Sequence, residues 1–288
     1  MANIVVVGGG LMGSATAAAL RDWGNDVLVY DTEPVRSDLK LEEYHQALGR
    51  ADYVVSIIPT PPVSAGFSLS ILEEVFRDFR QYAPDSAVFV QRSTTIPGTA
   101  RKYARLLTDP RYLMWPCFAY RATATEDETC PKKIVVGGQT EGHVRKFLQD
   151  LNFPEIPDTF IGSWDDAETA KIASNTMQAL MISAWNSIKL MAPDTDSDFV
   201  MATVVAESSL SCTARVHGKA FGKGGRLYED VYAWSRTSHY AQMLDSLLGI
   251  NESMRTMVGE QNAHTKDLKV QLQDAVSRRV SLCLGGEE

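Results

Sequence analysis

Cysteine is scarce in this chain of 288 residues and nowhere paired. Cys117, Cys130, Cys212 and Cys283 stand far apart, with no CxxC or other metal-ligand spacing. That excludes a zinc ribbon and argues against a disulfide framework, so the thiols read as those of a reducing compartment. The five histidines form no HxxxH or HExxH group, and no metal site is expected. No uninterrupted apolar stretch reaches the length that spans a bilayer. The start, MANIVVVGGG, lacks a basic region and its apolar run is cut by glycines, so it reads as a buried first strand rather than a secretion signal. Positive charge is in deficit: 28 Lys and Arg face 36 Asp and Glu, for a net charge of −8 and a pI near 5.2. Such a surface repels phosphate backbones and anionic lipid, which excludes nucleic acid and membrane as partners. A small anion can still bind where cations cluster locally. What is present, 44% hydrophobic and 22% charged residues, suits a soluble, cytoplasmic globular protein with a sizeable core.

Short apolar runs alternate with helical stretches through the first half. Strands are expected at Asn3–Val7, Asp26–Tyr30, Asp52–Ile58, Ala87–Gln91, Tyr112–Trp115 and Lys133–Val136, with an Ala-rich helix at Leu11–Asp22. Strands apolar on both faces and separated by helices predict a parallel sheet covered on both sides. Near Gly162 the pattern changes. A helix without internal Pro or Gly is expected over Asp165–Met191, capped by Ser163 or Asp165 and followed by Pro193. Further helical segments follow at Asp198–Ser211, Glu229–Ser246 and Asn251–Arg279. The expectation is an α/β chain: a doubly wound Rossmann domain over 1–162, then an all-α domain over 163–288 led by a long central helix. That helix is apolar on several faces (Met177, Met181, Trp185), so one small domain would leave part of it uncovered and a homodimer is expected.

Gly8, Gly10 and Gly13, with Leu11 and Met12 between them, satisfy GxGxxG directly after a strand and at the start of a helix. The first glycine permits the turn, the second lets backbone approach a pyrophosphate, and the third lets helix and strand pack closely. Asp31 ends the second strand about 20 residues on, the position from which a carboxylate accepts ribose hydroxyls and repels a 2′-phosphate. NAD is therefore the expected cofactor, with NADP kept open by nearby Arg36. A glycine-rich turn without a ligand is the bland alternative.

Three further segments follow in order: DYVVSIIPTPP at Asp52–Pro62, STTIPGT at Ser93–Thr99 and ATEDETCPKKIVVGG at Ala124–Gly138. With ETAKIASNTMQAL (Glu168–Leu180), FGKGGRLYED (Phe221–Asp230) and MLDSLLGIN (Met243–Asn251), they resemble the UDP-glucose/GDP-mannose (nucleotide-sugar) dehydrogenase family, most closely its branch acting on N-acetylated UDP-sugars. The resemblance implies NAD-dependent oxidation of an alcohol and a helical dimerisation domain. It implies cofactor contacts at Pro59, Thr60 and Ser93, and catalytic roles for Lys171, Asn175, Thr94 and Asp230. Lys171 and Asn175 are four residues apart and share a helix face, where an ammonium and an amide can steady an alkoxide. On the residues alone, the pair also reads as a solvated lysine and a surface asparagine.

The chain departs from this family in three ways. The family's catalytic cysteine is missing from Gly224-Gly225-Arg226-Leu227-Tyr228-Glu229-Asp230, and in WPCFAYRA two glutamates give way to Cys117 and Arg121. Together these losses remove the second oxidation, from aldehyde to acid, and leave the first. The sequence also stops where the family's C-terminal domain begins. A basic group including Lys223 and Arg226, with Gly224, Gly225 and Arg121, is expected to hold an anionic part of the substrate; a merely solvated basic loop is an equal reading. The expected function is a single two-electron alcohol/carbonyl interconversion on a polar, anionic sugar- or nucleotide-like molecule. A four-electron UDP-sugar dehydrogenase with another nucleophile and a non-catalytic NAD-binding partner protein are the alternatives.

Overall fold

A computed structural model describes residues 1–64, 66–107, 111–154, 158–191, 194–207, 226–237 and 242–258. The chain divides into two compact units, Met1–Ala173 and Ser174–Glu288.

The first unit runs β1 (Asn3–Val7), α1 (Leu11–Asp22), β2 (Asp26–Tyr30), α2 (Leu41–Leu48), β3 (Tyr53–Ser56), a short hairpin of β4 (Pro62–Val63) and β5 (Gly66–Phe67), and α3 (Ser70–Tyr82). It continues through β6 (Val88–Gln91), α4 (Thr99–Ala104), β7 (Tyr112–Met114), α5 (Ala124–Thr129), β8 (Ile134–Gly137), α6 (Glu141–Asp150) and β9 (Thr159–Gly162). Helix α7 (Trp164–Met191) begins in this unit. Seven strands form one sheet in the order β2-β1-β3-β6-β7-β8-β9. Chain order reverses between β1 and β3, and in a doubly wound sheet the crevice at that switch point, at the carboxyl ends of the strands, is where ligands bind. Two apolar layers sandwich the sheet, because Val5, Val7 and Val54 point to one face while Ile4, Val6 and Val55 point to the other. Aromatic rings fill the first layer, with Phe76 meeting Phe89, Tyr103 and Tyr112 edge-on.

Two sequence readings are corrected and one stated alternative is decided. The sheet is not wholly parallel, since β7 meets β8 antiparallel through Met114 and Gly137. β9 has no counterpart among the expected strands: it is an edge strand with Phe160 exposed, so it lacks the two-sided apolar run that marks the inner strands. Ser163, not Asp165, caps α7. Its hydroxyl accepts from the Asp166 N–H at 3.2 Å, while the Asp166 carboxylate accepts from the Ser163 N–H at 2.8 Å.

The second unit contains the rest of α7, then α8 (Ser197–Glu207), α9 (Arg226–Thr237) and α10 (Gln242–Val258). The expected single segment Glu229–Ser246 is divided between α9 and α10, and the expected segments Asp198–Ser211 and Asn251–Arg279 lie partly outside the described residues. A small core of Ala179, Val231, Leu244 and Leu247 joins α7, α9 and α10. No described helix is long and apolar enough to cross a membrane.

Candidate active site

The glycine loop joins β1 to α1 at the switch point. Gly8 has φ +106°, and a Cβ there would lie 2.4 Å from the Ile57 carbonyl oxygen. A Cβ on Gly13 would lie 1.7 Å from the Gly8 carbonyl oxygen, so only glycine lets α1 pack this closely. Gly10, the N-cap of α1, is different: a Cβ there would meet nothing within 4 Å. The first turn of α1 has neither a side-chain cap nor an acidic residue, so its N–H groups and the positive end of the helix face that open space. Leu11 is exposed and Met12 half-buried in the same turn. Asp31 accepts from the Gly9 N–H at 2.7 Å through one oxygen and from the Glu33 N–H at 2.8 Å through the other. It therefore also fixes the loop beside which the ribose would lie. A bare helix start, a cradle that a side chain would fill and a carboxylate at the end of β2 together fit a dinucleotide.

Two loops complete the crevice in this unit. Ser93, after β6, donates to the Ile58 carbonyl at 2.7 Å and accepts from the Ile58 N–H at 2.9 Å. Thr60, after β3, donates to the Thr94 carbonyl at 2.7 Å. The hydroxyls of Ser93 and Thr60 thus bind the loops to each other, while Pro59 is exposed beside them. Thr94 is buried. Behind it stands a residue the sequence reading did not single out: Glu168, with no exposed surface, accepts from Thr95, Ala100 and Gly98. Its place three residues before Lys171, on the same side of the helix, was the available signal.

Lys171 places its ammonium 5.2 Å from the centre of the Phe118 ring, and Lys133 lies 4.2 Å from that ring. Next to Phe118, Cys117 donates to Glu128 at 3.3 Å, and Glu128 forms a buried ion pair with Arg92 at 2.8 Å and accepts from Thr16 at 3.1 Å. The Arg92 guanidinium also stacks 3.6 Å over Trp115. Burial pushes the Cys117 thiol above its ordinary range, the opposite of what a thiolate nucleophile needs. Arg121 is exposed in the turn before α5. A separate cavity of about 800 Å³, lined by Met1, Asp52, Arg111 and Lys146, opens at the amino ends of β3, β6 and β7, the edge opposite the glycine loop.

In the second unit Asn175, on α7, donates its amide to Asp230, on α9. Both are buried, and 55 residues of chain separate them. Lys223, Gly224 and Gly225 lie outside the described residues, as does the side chain of Arg226. Among the described residues no group of three or more His, Cys, Asp or Glu is placed to hold a metal ion.

Residues 35–152 match the model of the UDP-glucose/GDP-mannose dehydrogenase family, NAD binding domain. The match begins after the glycine loop, so the loop and the family model are separate observations. Among solved structures, a UDP-glucose dehydrogenase from the hyperthermophilic archaeon Pyrobaculum islandicum aligns with TM-score 0.74 at 22% identity, over 90% of this chain and 69% of that one. UDP-D-ManNAc dehydrogenase from Pyrococcus horikoshii aligns with TM-score 0.76 at 20% identity, over 94% and 72%. A 3-hydroxyisobutyrate dehydrogenase from Mycobacterium tuberculosis aligns with TM-score 0.59 at 18% identity, over 98% and 94%. At these identities the likeness is one of fold. No curated protein matches the chain.

Proposed function

From the match of residues 35–152 to the NAD-binding domain model of the UDP-glucose/GDP-mannose dehydrogenase family, we propose that the chain is an NAD-dependent oxidoreductase performing one two-electron interconversion of alcohol and carbonyl. Its substrate is a polar, anionic, sugar- or nucleotide-like molecule. The observation that carries the reading is the buried pair of Asn175 and Asp230, two polar side chains brought together from distant parts of the chain. A buried carboxylate that fixes the plane of an amide is costly to keep as mere packing and useful for orienting a hydroxyl.

NAD supplies the hydride acceptor. Gly8, Gly10, Leu11, Met12 and Gly13 would receive its pyrophosphate and Asp31 its ribose, and Pro59, Thr60 and Ser93 would form the neighbouring wall. As the alcohol carbon gives up its hydride to NAD, the hydroxyl proton leaves to solvent, and the Lys171 ammonium and Asn175, oriented by Asp230, steady the oxygen as alkoxide character develops. Thr94 contributes its hydroxyl, and the sequence assigns the anionic end of the substrate to Arg121, Lys223, Gly224, Gly225 and Arg226. The buried, hydrogen-bonded Cys117 supports stopping after one hydride, because carrying an aldehyde on to an acid calls for a ready nucleophile. Met177 on α7 and Met243 on α10 leave apolar surface exposed, which supports a homodimer. A second substrate class, a small hydroxy acid, is favoured by the 94% coverage of the 3-hydroxyisobutyrate dehydrogenase.

The test is turnover of NAD⁺ with a panel of UDP-sugars and small hydroxy acids. Each substrate molecule consumed should yield one NADH and a carbonyl that hydroxylamine traps. Lys171→Ala should lower turnover about 10²-fold while leaving NADH affinity unchanged. Two NADH with a carboxylate product would replace the single-step reading with the four-electron one. Tight NADH binding without turnover on any member would favour a non-catalytic partner protein.

A further inference from the structure

The loop that carries Thr94 is held from behind by one side chain. Glu168 Oε1 accepts from the Thr95 hydroxyl at 2.6 Å and the Ala100 N–H at 2.9 Å, and Oε2 accepts from the Gly98 N–H at 2.8 Å. Gly98 has φ +97° and forms the N-cap of α4, so the carboxylate grips the loop at its turn and at the start of the next helix. The grip extends into the sheet. Gln91 donates to the Thr95 hydroxyl at 2.6 Å and to the Ser93 carbonyl at 3.1 Å, and its carbonyl oxygen accepts from the Tyr112 hydroxyl at 2.5 Å. Tyr112, Gln91, Thr95 and Glu168 thus form one directed chain of hydrogen bonds, every member buried. At the sheet end of the chain, Trp164, the first residue of α7, donates its indole N–H to the Tyr112 carbonyl at 2.7 Å.

We propose that Glu168 is a positioning residue that latches the Ser93–Gly98 loop, and with it Thr94, to the first turns of α7, just before Lys171. The proposal rests on the reading of Thr94 and Lys171 as site residues. Glu168 itself touches neither substrate nor cofactor; it acts through the loop.

The latch responds to pH in a direction that follows from its burial. Desolvation raises the Glu168 carboxyl to about 7, although the bonds from Thr95, Ala100 and Gly98 act the other way. The charged and titratable groups that act on it are Asp165 on its own helix, whose carboxylate is paired with Arg101 of α4 at 3.1 Å, and the phenol of Tyr112 on β7. Because the closed loop holds a proton on Glu168 more tightly than an open, hydrated loop does, closure is favoured at low pH. It weakens as pH rises toward 7 and changes little above it.

Amide hydrogen exchange of the full-length protein, corrected for intrinsic rates, reads this without any substrate. Protection of segment 93–104 should fall roughly 20-fold between pH 5.5 and 8, with the slope ending near pH 7. In Glu168→Gln the protection should be independent of pH. Thr95→Val removes one donor to the carboxylate, so the end of the slope should move to higher pH, and this variant serves if Glu168→Gln does not fold. Wild-type protection flat across this range, Glu168→Gln retaining the wild-type slope, or Thr95→Val leaving the profile unmoved would each overturn the latch. If the latch holds while Lys171→Ala turns over normally, the site assignment falls and the latch remains.

Discussion

Two glycines three residues apart should fail in opposite ways when each becomes alanine. Gly13→Ala puts a methyl group 1.7 Å from the Gly8 carbonyl oxygen, where real contacts stay beyond 3.0 Å, so the backbone must separate by at least about 1 Å. That carbonyl cannot move alone, because the Gly8 N–H is bonded to the Tyr30 carbonyl at 2.8 Å and the Gly9 N–H to Asp31. Overpacking of this kind costs about 3 kcal/mol, and the better helix propensity of alanine returns about 1 kcal/mol. The net loss of about 2 kcal/mol corresponds to a fall in melting temperature of roughly 4–8 °C for a unit of this size. Gly10→Ala adds its methyl group to open space at an ordinary φ of −66°, so its stability should stay within about 1 kcal/mol of wild type. With the cofactor placed as proposed above, the same methyl group would stand in the path of the pyrophosphate. Thermal melts with and without NADH separate the two effects. Wild type should gain about 2.7 kcal/mol of stability at a hundred times its dissociation constant, whereas Gly10→Ala should gain almost nothing at that concentration. A Gly13→Ala protein that melts with wild type would refute the packing argument. A Gly10→Ala protein stabilised by NADH as wild type is would refute the cradle.

Two further outcomes follow from charged side chains that hold their surroundings in place. Asp31→Ala should narrow the preference for NADH over NADPH and also weaken NADH binding about tenfold or more, because it frees the Gly9 N–H that orders the loop; titration calorimetry with both cofactors checks this, and an unchanged preference would remove Asp31 from cofactor selection. Glu128→Gln leaves the buried Arg92 cation without its counter-charge and should cost about 3–5 kcal/mol in urea unfolding, whereas replacing both residues with methionine should cost much less; a single-variant loss under about 1 kcal/mol would show the pair to be dispensable.

The sheet and the glycine loop were legible in the sequence because they rest on local periodicity. Asn3–Val7, Leu11–Asp22 and Asp26–Tyr30 were read with the ends they have, and the spacing of Gly8, Gly10 and Gly13 announced the turn before any contact was known. Edges were less legible. β9 keeps Phe160 exposed and so lacks an apolar signature, and the antiparallel meeting of β7 with β8 depends on which edge the returning chain reaches, a choice that no run of residues encodes. The candidate site divides along the same line. Lys171 and Asn175 were named by resemblance, their spacing adding only that they share a helix face, and that Asn175 is held by Asp230 is a contact across 55 residues. The role of Glu168 was hidden because a glutamate in a helix looks like a solvated charge until its surroundings are known. Only tertiary packing strips the water from that carboxylate and so pushes its carboxyl up to about 7, against the opposing pull of the three donors that hold it.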